Sequence, residues 1–114
     1  MVVGRLTAAF LMLQLVTAPA LAGTAVGQIS VLYARSSDGL QLVILTGGSQ
    51  VGRPACASAT TYYVIRDENS RAGQSQFAQL LSAQIAGKTL YIQGAGTCTR
   101  FSDAEDINWI QIMP

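Results

Sequence analysis

The sequence predicts a mainly β domain with one helix (β+α), in which five short strands close into a small barrel and the helix sits between the third and the fourth. Three observations carry that expectation. Apolar or β-forming residues recur with strand periodicity in five separate stretches, and with helical spacing in only one. Gly, Asp, Asn and Ser cluster between these stretches.

Taken in order, residues 27–34 alternate Ile29, Val31 and Tyr33 with Gln28, Ser30 and Leu32, a period-two strand. Residues 35–39 carry turn chemistry and end on Asp38-Gly39, a hairpin signal. The second strand, 40–46, is apolar on both faces, with Leu40, Leu42 and Ile44 on one and Val43 and Leu45 on the other. Such a strand is expected to be central, or covered on its second face. Residues 47–54 read as a flexible loop leading to Cys56. The third strand, 60–66, is marked by β-branched and aromatic residues from Thr60 to Ile65.

After a polar turn at 67–73 the period changes. Phe77, Leu80, Leu81 and Ile85 form one stripe of an amphipathic helix, with Ser75 as the expected N-cap and Gly87 as the left-handed C-cap. Residues 89–93 make a fourth strand, Leu90 and Ile92 on one face and Tyr91 on the other. A loop over 94–106 holds Cys98. The fifth strand, 107–112, places Ile110 and Ile112 inward and Trp109 opposite. This order, with a helix stripe only about two turns deep, is the layout of an OB-fold, a partly open barrel whose helix closes one end. An α+β sandwich is the alternative.

The first 22 residues read as a cleavable export signal. Arg5 supplies the positive start, and residues 6–16 are an apolar run broken only by Thr7 and Gln14. Pro19 ends any helix, and Ala20-Leu21-Ala22 puts small residues at the two positions a signal peptidase pocket must accommodate. Cleavage is expected near Ala22 and Gly23, leaving residues 23–114 as one exported domain, periplasmic or secreted. The apolar run is too short for a membrane helix, which needs roughly 20 residues, and later stretches are interrupted sooner, so no membrane span is expected. Without Arg5 the domain carries six basic and six acidic side chains and no histidine. That balance argues against a nucleic-acid partner and suits a self-associating subunit.

In an exported chain Cys56 and Cys98 are most simply a disulfide. Two cysteines without histidine make no ordinary zinc site, and neither has an imidazole to activate it as a nucleophile. Asp103, Glu105 and Asp106 form a small acidic cluster, but they lack the spacing of a calcium loop and read as a solvated loop. No catalytic residue, metal or cofactor is therefore expected.

The run Leu80-Leu81-Ser82-Ala83-Gln84-Ile85, followed by Gly87, the alternating Leu90, Tyr91 and Ile92, and then Cys98, resembles the helix-to-strand segment of Shiga toxin B subunits. Ala55-Cys56-Ala57, followed by aromatic residues and a Phe-x-x-Leu-Leu helix, looks like the B subunits of subtilase cytotoxin and typhoid toxin. The resemblance implies an OB-fold, a homopentameric ring, recognition of cell-surface glycans and a secreted enzymatic A subunit as partner. Two departures stand out. Cys56 lies between the second and third strands rather than before the first, and the second strand has no cysteine.

Sugar sites combine an aromatic face with hydroxyl and amide groups, because sugars present apolar C–H faces ringed by hydroxyls. On that pattern the glycan candidates are Tyr62 and Tyr63 with the loop residues Arg35, Ser36, Thr46, Ser49 and Gln50; Tyr33, Tyr91 and Trp109 are the other aromatics. The competing reading of each tyrosine is packing on the barrel or on a neighbouring subunit. Trp109 is either an exposed anchor at a subunit interface or a residue that closes the barrel core. A monomeric periplasmic domain with a structural or inhibitory role is the alternative to the ring-forming glycan binder, since fold does not choose between them.

Overall fold

The computed structural model of the chain describes Gly4 and residues 21–114. The expected leader, 1–22, lies outside the described residues except for Gly4, Leu21 and Ala22. Among the described residues the order is β1 (Thr24–Ala34), β2 (Gln41–Thr46), β3 (Gln50–Val51), β4 (Tyr62–Val64), α1 (Arg71–Ala86), β5 (Thr89–Gly94) and β6 (Glu105–Ile112). A short 3-10 turn, Ala55–Ala57, precedes β4. Strand neighbours run β2–β4–β6–β5–β1, and β1 returns to β2, so five strands close a barrel. The β4–β6 pair is parallel and the other barrel pairs are antiparallel. This is the OB-fold-like β+α barrel that the element order predicts. The addition is β3, a two-residue strand pairing with Thr24 and Ala25 inside the stretch expected to be a flexible loop.

β1 belongs to both sides of the closure. Its first half pairs with β5 and its second half with β2, and the register slips between Ile29 and Val31. A bulge of this kind bends the strand and changes which residues face inward. Ile29 and Leu32 consequently pack on the core, whereas Val31 and Tyr33 are exposed. The uninterrupted Ile29/Val31/Tyr33 face expected from the alternation is therefore broken at Ser30.

The core gathers Val43, Leu45, Tyr63, Ile65, Leu90, Ile92 and Ile107 from the barrel wall and β4's continuation, with Leu80 and Ala83 from α1. On the outer side Leu40, Val64 and Ala104 form a second, smaller cluster with Leu42, Tyr62 and Phe101 packed against it. That cluster explains why β2 is apolar on both faces. One face lines the barrel, and residues of the loop before β6 cover the other.

α1 begins a turn earlier than its apolar stripe suggests, and its N-cap is Ser70 rather than Ser75. The Ser70 hydroxyl accepts from the Gly73 N–H at 2.9 Å and donates to the Asp67 carbonyl at 2.7 Å. Both bonds are available only to a residue placed just before the helix, where the first N–H groups lack helical partners. At the other end Gly87 takes φ 63°, as expected, and the Lys88 N–H reaches the Ala83 carbonyl at 2.9 Å. Gly73, Leu80 and Ala83 are buried and Phe77 partly so, while Leu81 is exposed and Ile85 is 79 % exposed. The real contact stripe is thus shorter and built partly from small residues.

Cys56, in the 3-10 turn, is joined to Cys98, in the loop before β6, with their Cα atoms 6.3 Å apart. The expected disulfide is present.

Candidate functional site

The expected glycan residues fall into three places. Arg35 and Ser36 lie at the tip of the β1–β2 hairpin, while Thr46 pairs with Gln28 at the hairpin's far end. At about 3.4 Å per residue the two groups are separated by the length of β2 and form no common site. The Arg35 guanidinium is already engaged. It donates to both Asp38 carboxylate oxygens, at 2.9 and 2.6 Å, and lies 5.7 Å over the Phe101 ring. That pairing raises the Arg35 pKa and lowers that of Asp38.

Tyr63 is corrected outright. It is fully buried in the core and has no face to offer a sugar, and burial pushes its hydroxyl up to about 12, with Arg53 opposing the shift. Tyr62 is half-buried against the outer cluster, and the adjacent Asp103 carboxylate raises its hydroxyl pKa.

Thr46 and Gln50, by contrast, line one cleft of about 460 Å³, together with Val26, Ile44, Leu45, Gly47, Gly48 and Thr61; Ser49 flanks it. Gly47, with φ 73°, turns the chain away from β2. Ser49 then lies along β1, where its carbonyl accepts from the Val26 N–H at 2.9 Å. Gln50 is fixed from both ends of its amide, which donates to the Thr61 carbonyl at 2.9 Å and accepts from Arg53 Nη1 at 3.3 Å. The result is an apolar floor of Val26 and Ile44 beneath a rim of hydroxyl, amide and main-chain groups. None of the eight lining residues is titratable, so the cleft presents hydroxyl, amide and apolar surface without a charged side chain in its lining.

Of the cleft's lining residues, sequence reasoning named Thr46 and Gln50 as candidates and did not name Val26, Ile44, Leu45, Gly47, Gly48 and Thr61. The Gly47-Gly48 pair at the end of an apolar strand was the available local signal. Thr61 carries none, because β2–β4 pairing brings it there.

A smaller cavity of about 180 Å³ lies between the start of α1 and β6. Of its polar side chains, Ser70 bonds to Asp67 and Gly73, Asp67 accepts from the Asn69 N–H, and Gln76 donates to the Asn108 carbonyl.

Outside the barrel Tyr91 and Trp109 stack with their ring centroids 5.0 Å apart, and Trp109 is 44 % exposed. Of its two expected roles, closing the core is therefore the one it does not have. On the opposite face Ile110 packs on the core, while Ile112, at the strand's end, is exposed rather than inward.

The acidic cluster is the largest departure from expectation. Glu105 and Asp106 are both fully buried, and β6 begins at Glu105 rather than at 107. Among the described residues no three His, Cys, Asp or Glu side chains are grouped to hold a metal ion, and no helix is long and apolar enough to cross a membrane. Compared with known proteins, the chain matches no family model, no curated protein and no solved structure.

Proposed function

We propose that the protein is an exported, non-enzymatic binding subunit that holds a glycan in the cleft of Thr46, Gln50 and Thr61, and that it works as a homo-oligomeric ring beside a secreted enzymatic partner. The observation that carries the reading is the cleft itself: an uncharged hydroxyl and amide rim over an apolar floor, which matches a sugar's hydroxyls and C–H face. The Tyr91–Trp109 stack, with Trp109 exposed, supports assembly, since Trp and Tyr are favoured anchors at interfaces. The Leu80–Ile85 run and the Ala55-Cys56-Ala57 segment support the likeness to toxin B subunits. The disulfide suits an oxidising compartment.

A glycan array probed with the exported protein is expected to return a restricted set of sugars, and Thr46→Ala is expected to weaken that binding about tenfold, the loss of one good hydrogen bond. A blank array would end the lectin reading. Light scattering after size exclusion is expected to give a multimer that Trp109→Ala shifts toward monomer. A wild-type monomer would instead favour the structural or inhibitory domain.

A further inference from the structure

Glu105 opens β6 with its carboxylate fully buried. Oε2 accepts from the backbone N–H of Gly23 at 2.8 Å and of Gly96 at 3.0 Å. Oε1 has no hydrogen-bond partner among the described residues, and no ion pair among them includes Glu105. A buried carboxylate with one oxygen left unpartnered is costly, and a cation beside it would offset that cost.

The neighbouring cation, Arg53, makes no ion pair with it among the described residues. Arg53, which follows β3, donates to Gln50 and to the Tyr62 carbonyl and lies over the Tyr63 ring, leaving its Nε unpartnered among the described residues. Tyr63 of β4 stands opposite Glu105 in the parallel register, with its hydroxyl also unpartnered, and Tyr91 of β5 is near enough to act on the Tyr63 hydroxyl. Three of the four unpartnered buried polar atoms found among the described residues therefore belong to Glu105, Arg53 and Tyr63.

The walls of this nest are glycine. A Cβ on Gly23 would collide with Oε1, and one on Gly94 with Oε2. Gly23 is itself buried, and its carbonyl accepts from the Gly94 N–H at 2.8 Å, whereas Ala22 and Leu21 are exposed. Burial thus begins at the residue that follows the expected leader.

We propose that removal of the leader at the Ala22–Gly23 bond makes Gly23 the first residue, and that its new α-ammonium is the counter-ion of the buried Glu105 carboxylate. The inference rests on the export reading above. Hydrolysis sends the oxygen of water to the Ala22 carbonyl, which leaves as a carboxylate, and both of its hydrogens to the Gly23 nitrogen, which becomes NH3+. One of the three donors keeps the bond to Oε2, and a second serves Oε1, which lies beside Gly23. Processing then does more than release the chain: it supplies the charge that ties the start of β1 to β6.

The test uses the full-length gene expressed for export. Intact mass is expected to correspond to residues 23–114 with one disulfide. With 13C at glycine Cα, the Gly23 signal followed against pH is expected to report an amine pKa at least about one unit above the ordinary value near 8. A raised folded pKa contributes stability that is fully present below pH ~8 and lost as pH rises through the folded value. Glu105→Gln is expected to remove that pH dependence and to shift the unfolding equilibrium by about a hundredfold at pH 7. A different N-terminus overturns the processing site and the inference together. Gly23 at the N-terminus with an amine pKa at or below about 8 overturns the ion pair alone and leaves export standing, a result that needs no variant to fold.

Discussion

Asp106 shows how a buried carboxylate is kept charged beneath the 97–100 segment. Burial by itself raises its pKa, but hydrogen bonds from the Thr99 hydroxyl and amide, the Thr97 hydroxyl and the Arg100 amide outweigh it and hold the carboxyl below its ordinary value. The distances are 2.6 and 3.0 Å from Thr99, 2.7 Å from Thr97 and 3.2 Å from Arg100. With its folded pKa depressed, Asp106 contributes stability above its unfolded value, near pH ~3.9, and loses it as pH falls through the folded one. Asp106→Asn is expected to cost about 2–3 kcal/mol at pH 7 in urea unfolding, with the difference from wild type shrinking in acid. A deficit that is the same at both pH values would reject this account. Asp38 is the contrast, because its pKa is also lowered, by Arg35, but the pair is solvent-exposed and contributes little. Sequence spacing distinguishes neither case. Both look like loop charges until the 97–100 segment is seen curling back on Asp106.

At the scale of the element, α1 separates what periodicity predicts from what packing uses. Phe77, Leu80, Leu81 and Ile85 are equivalent as a helical stripe, yet only Leu80 among them is fully buried. Leu80→Ala is expected to destabilise by about 2–5 kcal/mol, and Ile85→Ala by less than about 0.5 kcal/mol, measured by thermal or urea unfolding. Comparable losses at both sites would mean that the exposed end of α1 is covered in the assembled protein. Ser70→Ala removes the true N-cap and is expected to cost about 1 kcal/mol, while Ser75→Ala should be nearly silent. The Gly87 C-cap was legible because a left-handed residue favours glycine for local steric reasons. The N-cap was not, since Ser70 and Ser75 differ only in what lies around them.

For the molecule as a whole, the disulfide is the longest covalent constraint on a small barrel. It joins two positions 42 residues apart and holds the 3-10 turn against the loop before β6. Closing a loop of that length restricts the unfolded chain by about 4 kcal/mol, a large share of the roughly 5–15 kcal/mol that stabilises an ordinary domain. Reduction, or Cys56→Ser with Cys98→Ser, is expected to lower the urea midpoint accordingly. Thiol titration of the unfolded protein should find no free cysteine. Two reactive thiols would show that the bond does not form.

The strands, the single helix and the barrel order were readable from local pattern, because alternation and helical spacing are properties of neighbours along the chain. The cysteine pair was readable too, through the compartment implied by the leader-like start. Tyr63 could not be assigned to the core from its own stretch, nor could Thr46 and Gln50 be separated from Arg35 and Ser36. Those outcomes depend on β2 pairing with both β1 and β4, and on the bulge at Ser30 that changes the phase of β1. Burial of Glu105 beside Gly23 is the extreme case. Two residues 82 positions apart meet there, and whether an acidic side chain is a solvated charge or a buried one is set by what the fold places against it.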